Sequence, residues 1–445
     1  MPIEIRAVGG YKEVGKNMTA INIDGEVVVI DMGMHIPNWI RYTDDEDVIK
    51  LSRRGLIQAE AIPDDSLIYD LRDQVVAIIP THAHLDHVAA IPFLSSRYEC
   101  PIIATPFTNA VIQRICDDNH IKLRNELITL RPNHSMKLTD NIELVFVGMS
   151  HSVPDTVTLA LKTKYGIITY SNDFKIDQKP IIGEKANLEL LEDLGEEGVF
   201  CSIINCLYAQ NDAHTESEST VKEKLRKVVE EHDTEGCGII TTTFSSHIAR
   251  HKTLVEEGQR LGRKVVMLGR SMAKYAFAAK DVGLYDYPNV EILGYPRQVR
   301  SKLRQIRKEG KDKYFLIVTG HQGEPKALLS RMMRGDLTWD WEEDDFMIFS
   351  SKVIPTHINE EQFKVLYDGL RQLGVVKIFE HVHVSGHASR QDLEDFVELL
   401  KPKHVLPSHG IEAMTDAMED LCKEEGMDMR HIHSIKTGET LILDS

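Results

Sequence analysis

The chain has 445 residues, room for two or three domains on an ordinary length scale. Its hydrophobic content of 42% and charged content of 27% are those of a folded globular protein, and no apolar run has the length of a membrane-spanning helix. A formal net charge of −17 excludes indiscriminate attraction to nucleic acid by bulk charge and leaves only a local basic groove for such a partner.

The N-terminal MPIEIRAVGG has neither the apolar centre of a secretory signal nor the Arg/Ser-rich character of a transit peptide. Six scattered cysteines form no CxxC pair, so a reduced, cytoplasmic protein is expected. Next come IEIRAVGG, MTAINID and EVVVIDMG, β-rich runs separated by Gly and Asp, which predict a strand meander. Residues 34–73 are polar and read as an irregular connection. VVAIIP (75–80) predicts a buried strand that leads directly into THAHLDH (81–87). ELVFVGMSH (143–151) and GIITYSND (166–173) predict two further strands, each ending in a side chain able to bind a metal. Strand ends that converge on one edge assemble a site from residues far apart in sequence.

From about residue 206 the pattern changes. STVKEKLRKVVEEH (219–232) and ARHKTLVEEGQRLG (249–262) have helical spacing, and they alternate with the apolar runs GIITTTF, KVVMLG, YFLIVTG and FMIFSS. This predicts a separate α/β domain built on a parallel sheet. Near the C-terminus, VVKIFEHVHVSG, the helix DLEDFVELLKP and the strand HVLPSHG again carry histidines. The expected organisation is a first domain over 1–205, an inserted domain over 206–365, and a segment over 366–445 that completes the first.

THAHLDH carries the chemistry. Residues two apart on a strand face the same way, so His82 and His84 are expected to point at one ion. Asp86 and His87 follow where the strand turns into a helix, and can face a second. A single histidine is usually an ordinary surface or core residue, but four such side chains packed as HxHxDH form a ligand set. That set suits zinc, with manganese or iron as competitors.

HAHLDH resembles the signature of the metallo-β-lactamase fold, an α/β architecture in which two sheets are sandwiched between helices. The resemblance extends to Asp31 in VVVIDMG, His151 in GMSHSVPD, Asp173 in SNDFKID and His409 in VLPSHG, in order along the chain. It implies one ion held by His82, His84 and His151, and another held by Asp86, His87 and His409. Asp173 is then shared, and Asp31 orients ligands from behind. Two cations about 3.5–4 Å apart clamp the attacking and leaving oxygens of an ester hydrolysis. This names a style of reaction and no substrate.

The insertion narrows the substrate. SGHAS (385–389) resembles a motif of the β-CASP nucleases, with His387 as the matching histidine. GKNMTAI (15–21), TTFSSHIAR (242–250), GRSM (269–272), TGHQGEP (319–325), SSKVIPTHINE (350–360) and HVSGHAS (383–389) together resemble the ribonuclease J family in its shorter archaeal form, over nearly the whole chain. The resemblance implies single-stranded RNA as partner, a homodimer, and removal of nucleotides from a 5′-monophosphate end. It further implies phosphate binding by Ser246, His383, Ser385, Gly386 and His387. Asp86 and His387 take catalytic roles, with His387 serving the leaving oxygen. One departure stands out. Where such nucleases carry an acidic residue that pairs with this histidine, the chain has Asn205, which can hold the ring but supplies no charge.

Three other readings compete with the exoribonuclease. They are an endoribonuclease of the same group, a weakly active or non-catalytic RNA-binding subunit, and a small-molecule thioesterase or lactonase. The last type lacks so large an insertion. The basic stretch 297–313, RQVRSKLRQIRKEGKDK, is a candidate guide for RNA and otherwise a solvated helix face.

Overall fold

The computed structural model describes residues 3–44, 51–354 and 356–444. They form two compact units. The first comprises residues 1–178, 184–215 and 386–445, and the second 179–183 and 216–385.

Two sheets build the first unit. One has seven strands, in the order Thr440–Leu443, Ile3–Gly9, Met18–Ile23, Glu26–Ile30, Val75–Ile79, Ile102–Ala104, Leu127–Thr129. The other has six, in the order His404–Ser408, Val199–Asn205, Gly166–Ser171, Thr156–Thr163, Glu143–Met149, His134–Lys137. In the first strand Ile3, Ile5 and Ala7 are buried while Glu4 and Arg6 are only half-buried, the alternation of a strand with one covered face. Val27 to Ile30 are buried without interruption, as in a central strand covered on both sides.

Ile5, Val28 and Ile79 of one sheet share a core with Phe146, Leu159 and Leu406 of the other. Each such side chain contributes roughly 1.5–3 kcal/mol through burial. The helices Leu188–Glu197, Arg390–Leu400 and Glu412–Glu424 cover the outer face of the second sheet through Leu191, Phe396 and Leu421. Ser389 caps the helix Arg390–Leu400 in a capping box with Asp392, as the SGHAS sequence followed by an acidic turn suggests.

The second unit holds a six-stranded sheet whose pairings are all parallel, in the order Val290–Leu293, Lys264–Leu268, Tyr314–Val318, Ile239–Thr242, Phe346–Phe349, Lys377–Phe379. The expected strand–helix alternation is therefore present. Its limits differ from 206 and 365. Residues 206–215 stay with the first unit, where Asn211 and Thr215 hydrogen-bond Ser389. The second unit continues to Ser385 because the strand Lys377–Phe379 pairs with Phe346–Phe349 and extends its sheet.

Residues 34–73 are not an irregular connection. They contain the helices Ile36–Asp44 and Arg53–Gln58 and the 3₁₀ segment Asp65–Gln74; positions 45–50 lie outside the described residues. Short helices capped by Ser52 and Asp64 leave little apolar periodicity to read, which is why composition alone misses them.

Candidate metal centre

The strand Val75–Ile79 ends before the histidines do. His82 lies in the following loop, and His84 is the N-cap of a single helical turn, Leu85–Val88, that carries Asp86 and His87. The expectation that His82 and His84 pair on a strand is thus corrected: a loop and a helix start bring them together. Gly33 makes this turn possible, since a Cβ there would sit 1.5 Å from the Asp86 carbonyl oxygen. Asp31 and His409 both hold left-handed backbone, with φ of 58° and 53°, an uncommon conformation for residues with a Cβ.

Two groups of side chains converge. His82, His84, His151 and Asp173 form one; Asp86, His87, Asp173 and His409 form the other. Within each, the ligand atoms lie within 4.8 Å of one another. Asp173 belongs to both. His82 Nε2 and His151 Nε2 each stand 3.1 Å from His84 Nδ1, and Asp173 Oδ2 is 3.5 Å from His82 Nε2 and 3.6 Å from His151 Nε2. In the second group, His87 Nε2 lies 3.5 Å from Asp86 Oδ2 and 3.6 Å from Asp173 Oδ2. His409 Nε2 lies 3.6 Å from Asp86 Oδ2 and 3.5 Å from Asp173 Oδ1.

These distances fit a cation better than a hydrogen-bond network. The His151 Nδ1–H donates to the Gly386 carbonyl at 2.5 Å, so its neutral ring presents a lone pair at Nε2. One proton on His84 Nδ1 satisfies only one of its two nitrogen neighbours. Three nitrogens and a carboxylate oxygen held tetrahedrally at about 2.0–2.2 Å from zinc are themselves about 3.3–3.5 Å apart, close to most of the spacings in the first group. His87 repeats the arrangement: its Nδ1–H donates to Asp31 Oδ2 at 2.8 Å, which turns its Nε2 toward two carboxylates and the Asn17 amide, the last at 3.2 Å.

The electrostatics agree. Burial, with help from His87, pushes the His82 imidazole down to about 3, and burial also holds His151 well below its usual range. Burial opposes charge on Asp173, yet His409 and His387 outweigh it and keep this carboxylate ionised. Burial likewise disfavours a proton on His87, but Asp31 and Asp86 overcome it and raise its basicity. A field that favours a proton on that ring also favours a divalent cation beside it.

Residues behind the candidate ligands fix their rings. Asp31, fully buried, accepts from the Thr81 N–H at 2.8 Å as well as from His87. His409 Nδ1 pairs with Asn17 Oδ1 at 2.9 Å, while the Asn17 amide donates to the Asp86 carbonyl at 3.1 Å. The sequence reading missed both Asn17 and Thr81. GKNMTAI gave a faint signal for Asn17, a polar residue buried just ahead of an apolar strand; nothing marked Thr81.

Asn205 does not hold His387. Its amide donates to Asp173 Oδ1 at 2.7 Å, and its oxygen accepts from the Leu207 N–H at 2.7 Å. Strand Val199–Asn205 lies beside Gly166–Ser171, so its last side chain meets the carboxylate that follows the neighbouring strand. A neutral donor suits that place, where a second carboxylate would repel Asp173.

His387 lies at the centre all the same. Its Nδ1 is 3.6 Å from Asp173 Oδ1, and its ring packs edge-on to His151 and stacks on Tyr208. Gly386 is held against His151, where a Cβ would come 2.9 Å from the Ser152 Cβ. Ser246, His383 and Ser385 belong to the second unit. Ser246 is buried in the turn before the helix Ile248–Arg260, and His383 and Ser385 are half-buried.

Known proteins share this architecture. Residues 11–109 match the metallo-beta-lactamase superfamily, 237–368 the ribonuclease J beta-CASP domain, and 375–433 the Zn-dependent metallo-hydrolase RNA specificity domain. The ribonuclease J of Methanocaldococcus jannaschii is 40% identical over 99% of both chains. The chain belongs to the ribonuclease J family.

The ribonuclease J of Pyrococcus abyssi is 36% identical over 95% of this chain and 93% of its own. Ribonuclease J 1 of Streptococcus pyogenes is 30% identical and longer, with 75% of its length covered. A crystal structure of a protein of unknown function from Enterococcus faecalis V583 superposes over the full length of both chains with a TM-score of 0.67 at 16% identity, a likeness of fold alone. Family membership makes this chain a metal-dependent nuclease of the metallo-β-lactamase fold with a β-CASP domain. Among the described residues no helix is long and apolar enough to cross a membrane.

Proposed function

We propose that the chain is a 5′→3′ exoribonuclease that degrades or trims single-stranded RNA from 5′-monophosphate ends, acting as a cytoplasmic homodimer. The observation that carries the reading is the pair of ligand groups joined by Asp173 in a chain that is ribonuclease J-like from end to end. His82, His84 and His151 would hold one divalent cation and Asp86, His87 and His409 another, with Asp173 common to both. Zinc is the first choice for a histidine-rich set and manganese the second. Such a pair, when bound, supplies positive charge against the phosphodiester and makes water a nucleophile near neutral pH.

The chain's own residues do the remaining work. Asp31 and Asn17 hold His87 and His409 in the tautomers that aim Nε2 inward. Asn205 steadies Asp173 through Oδ1. His387, with Nδ1 toward Asp173, is assigned to the leaving oxygen, which it would protonate or whose developing charge it would neutralise. The 5′-phosphate is assigned to Ser385, Gly386 and His387, with His383 and Ser246. The contacts of Asn205 weaken the non-catalytic reading, because that residue supports the ligand set instead of removing a charge from His387.

The test is a time course on single-stranded RNA carrying a labelled 5′-monophosphate, with and without chelator. Immediate release of labelled mononucleotide, abolished by chelation, is expected. Labelled oligomers of intermediate length would mean internal cutting, and no cleavage would bring back the binding subunit.

A further inference from the structure

The second unit contains a buried ionic cluster that the reaction as described leaves unused. Arg250 is fully buried on the helix Ile248–Arg260. Its Nε and Nη2 meet the Glu218 carboxylate at 2.6 and 2.9 Å in a two-pronged pair. Nη1 turns the other way. It donates to the Ser350 carbonyl at 2.6 Å and to the Ser350 hydroxyl at 3.0 Å, approaches the Val382 carbonyl at 3.3 Å, and faces His383 Nδ1 at 3.5 Å. Ser350 Oγ donates to the same Val382 carbonyl at 2.8 Å. The end of the strand Phe346–Phe349 and the backbone before His383 are thus tied to one guanidinium.

A guanidinium has only donors. A proton on His383 Nδ1 would set one N–H against another at 3.5 Å, whereas a lone pair there is attracted. Full protonation is opposed as well. Burial comes first, then Arg250 and His247, with Lys352 adding to them; Glu218 favours the charge but is taken up by Arg250, and the ring is pushed down to about 2. His383 is only half-buried, so the residue is not sealed from solvent.

We infer that Arg250 locks His383 as a neutral imidazole with its proton on Nε2, making it a fixed hydrogen-bond donor for a phosphate oxygen of the substrate. The inference rests on the phosphate role proposed for His383, and it makes Arg250 a positioning residue that never touches RNA. A neutral donor of this kind keeps the same protonation state at pH 6 and pH 8, which an imidazolium of ordinary basicity does not.

Nitrogen-15 NMR of the full-length protein, labelled at histidine and assigned by loss of one signal set in His383→Gln, reads the tautomer directly. An unprotonated Nδ1 and a protonated Nε2 between pH 6 and 8 are expected. A proton on Nδ1, or on both nitrogens, would overturn the inference whatever the variants do. In Arg250→Gln, checked for folding by circular dichroism, a mixture of tautomers is expected, and an unchanged spectrum would show that Arg250 does not set it.

The donor role is read from the ratio of kcat/KM on 5′-monophosphate and 5′-hydroxyl RNA. Glutamine places its amide near the Nε2 position, asparagine near Nδ1. His383→Asn should lose roughly tenfold to a hundredfold of the preference, the range for one hydrogen bond to a charged group, while His383→Gln keeps most of it. Equal losses in both would overturn the role. Equal rates of the wild-type protein on the two RNAs would overturn the 5′-end reading and the donor role together, and leave the tautomer standing.

Discussion

Each unit buries a cluster of charged and polar groups, and the two are finished differently. Around Arg250, every short contact pairs a donor with an acceptor: guanidinium with carboxylate, guanidinium with carbonyl, hydroxyl with carbonyl. Around Asp173 the pairing is incomplete: Asn205 donates to Oδ1, but the ring nitrogens of His82, His87, His151 and His409 stand 3.5–3.6 Å from the carboxylate, beyond an ordinary hydrogen bond. His87 Nε2 looks at two carboxylates, and three histidine nitrogens crowd together at 3.1 Å spacings. A closed network contributes to folding by itself, whereas an open one gains its free energy when a cation enters. Burial and charge alone do not separate a structural cluster from a functional one; the direction of the donors does.

The largest expected effect comes from removing a ligand. His84→Ala should cut RNA hydrolysis about a thousandfold or more, since several kcal/mol of transition-state stabilisation go with the cation it helps to hold. The metal-free protein should unfold at nearly the same temperature with or without this substitution, because the His84 side chain keeps 19% of its surface exposed and its closest polar neighbours are His82 and His151. Full turnover in the variant, measured after metal analysis, would break the contrast between the clusters.

Glu218→Ala should do the opposite. Leaving Arg250 buried without its carboxylate is expected to cost about 3–5 kcal/mol of stability, and added zinc should not restore it. Denaturant unfolding followed in both proteins measures the difference. Asp31→Asn sharpens the comparison from behind the ligands. The substitution keeps the shape but removes the negative charge that accepts from His87 Nδ1–H, and metal affinity should fall about tenfold to a hundredfold. Titration of the metal-free protein with zinc checks it.

How much of this was legible in the sequence follows from the range of each interaction. HAHLDH is local, so its ligand character stands in six consecutive letters, and the order of Asp31, His151, Asp173 and His409 carried the resemblance. The strands were visible because β-branched runs end at Gly or Asp. What stayed hidden depends on pairing between distant segments. Asn205 reaches Asp173 only because two strands lie side by side, and Asn17 finds His409 across 392 positions. The boundary at Ser385 depends on the strand Lys377–Phe379 joining a sheet begun at Ile239, which no local pattern near residue 365 announces.

The basic stretch gives the smallest and most easily separated effect. It forms the helix Pro296–Glu309, which buries Val299, Leu303 and Ile306. Arg297, Arg300 and Arg304, spaced three and four apart, share one exposed face. Arg307 is already engaged by Asp340 at 2.7 Å, whereas Arg300 and Arg304 make no ion pair among the described residues. If RNA passes over this face, the double variant Arg300→Ala/Arg304→Ala should weaken binding a few-fold and flatten the dependence of log K on log salt by about 1.4, which is about 0.7 for each phosphate contact on a single strand. Stability should not change, because neither side chain contributes to the core. An unaltered salt slope would reduce the helix to a solvated face. It would leave the cation centre as the principal source of positive charge opposite the RNA, and the contrast between the open and the closed cluster would then account for recognition as well as for chemistry.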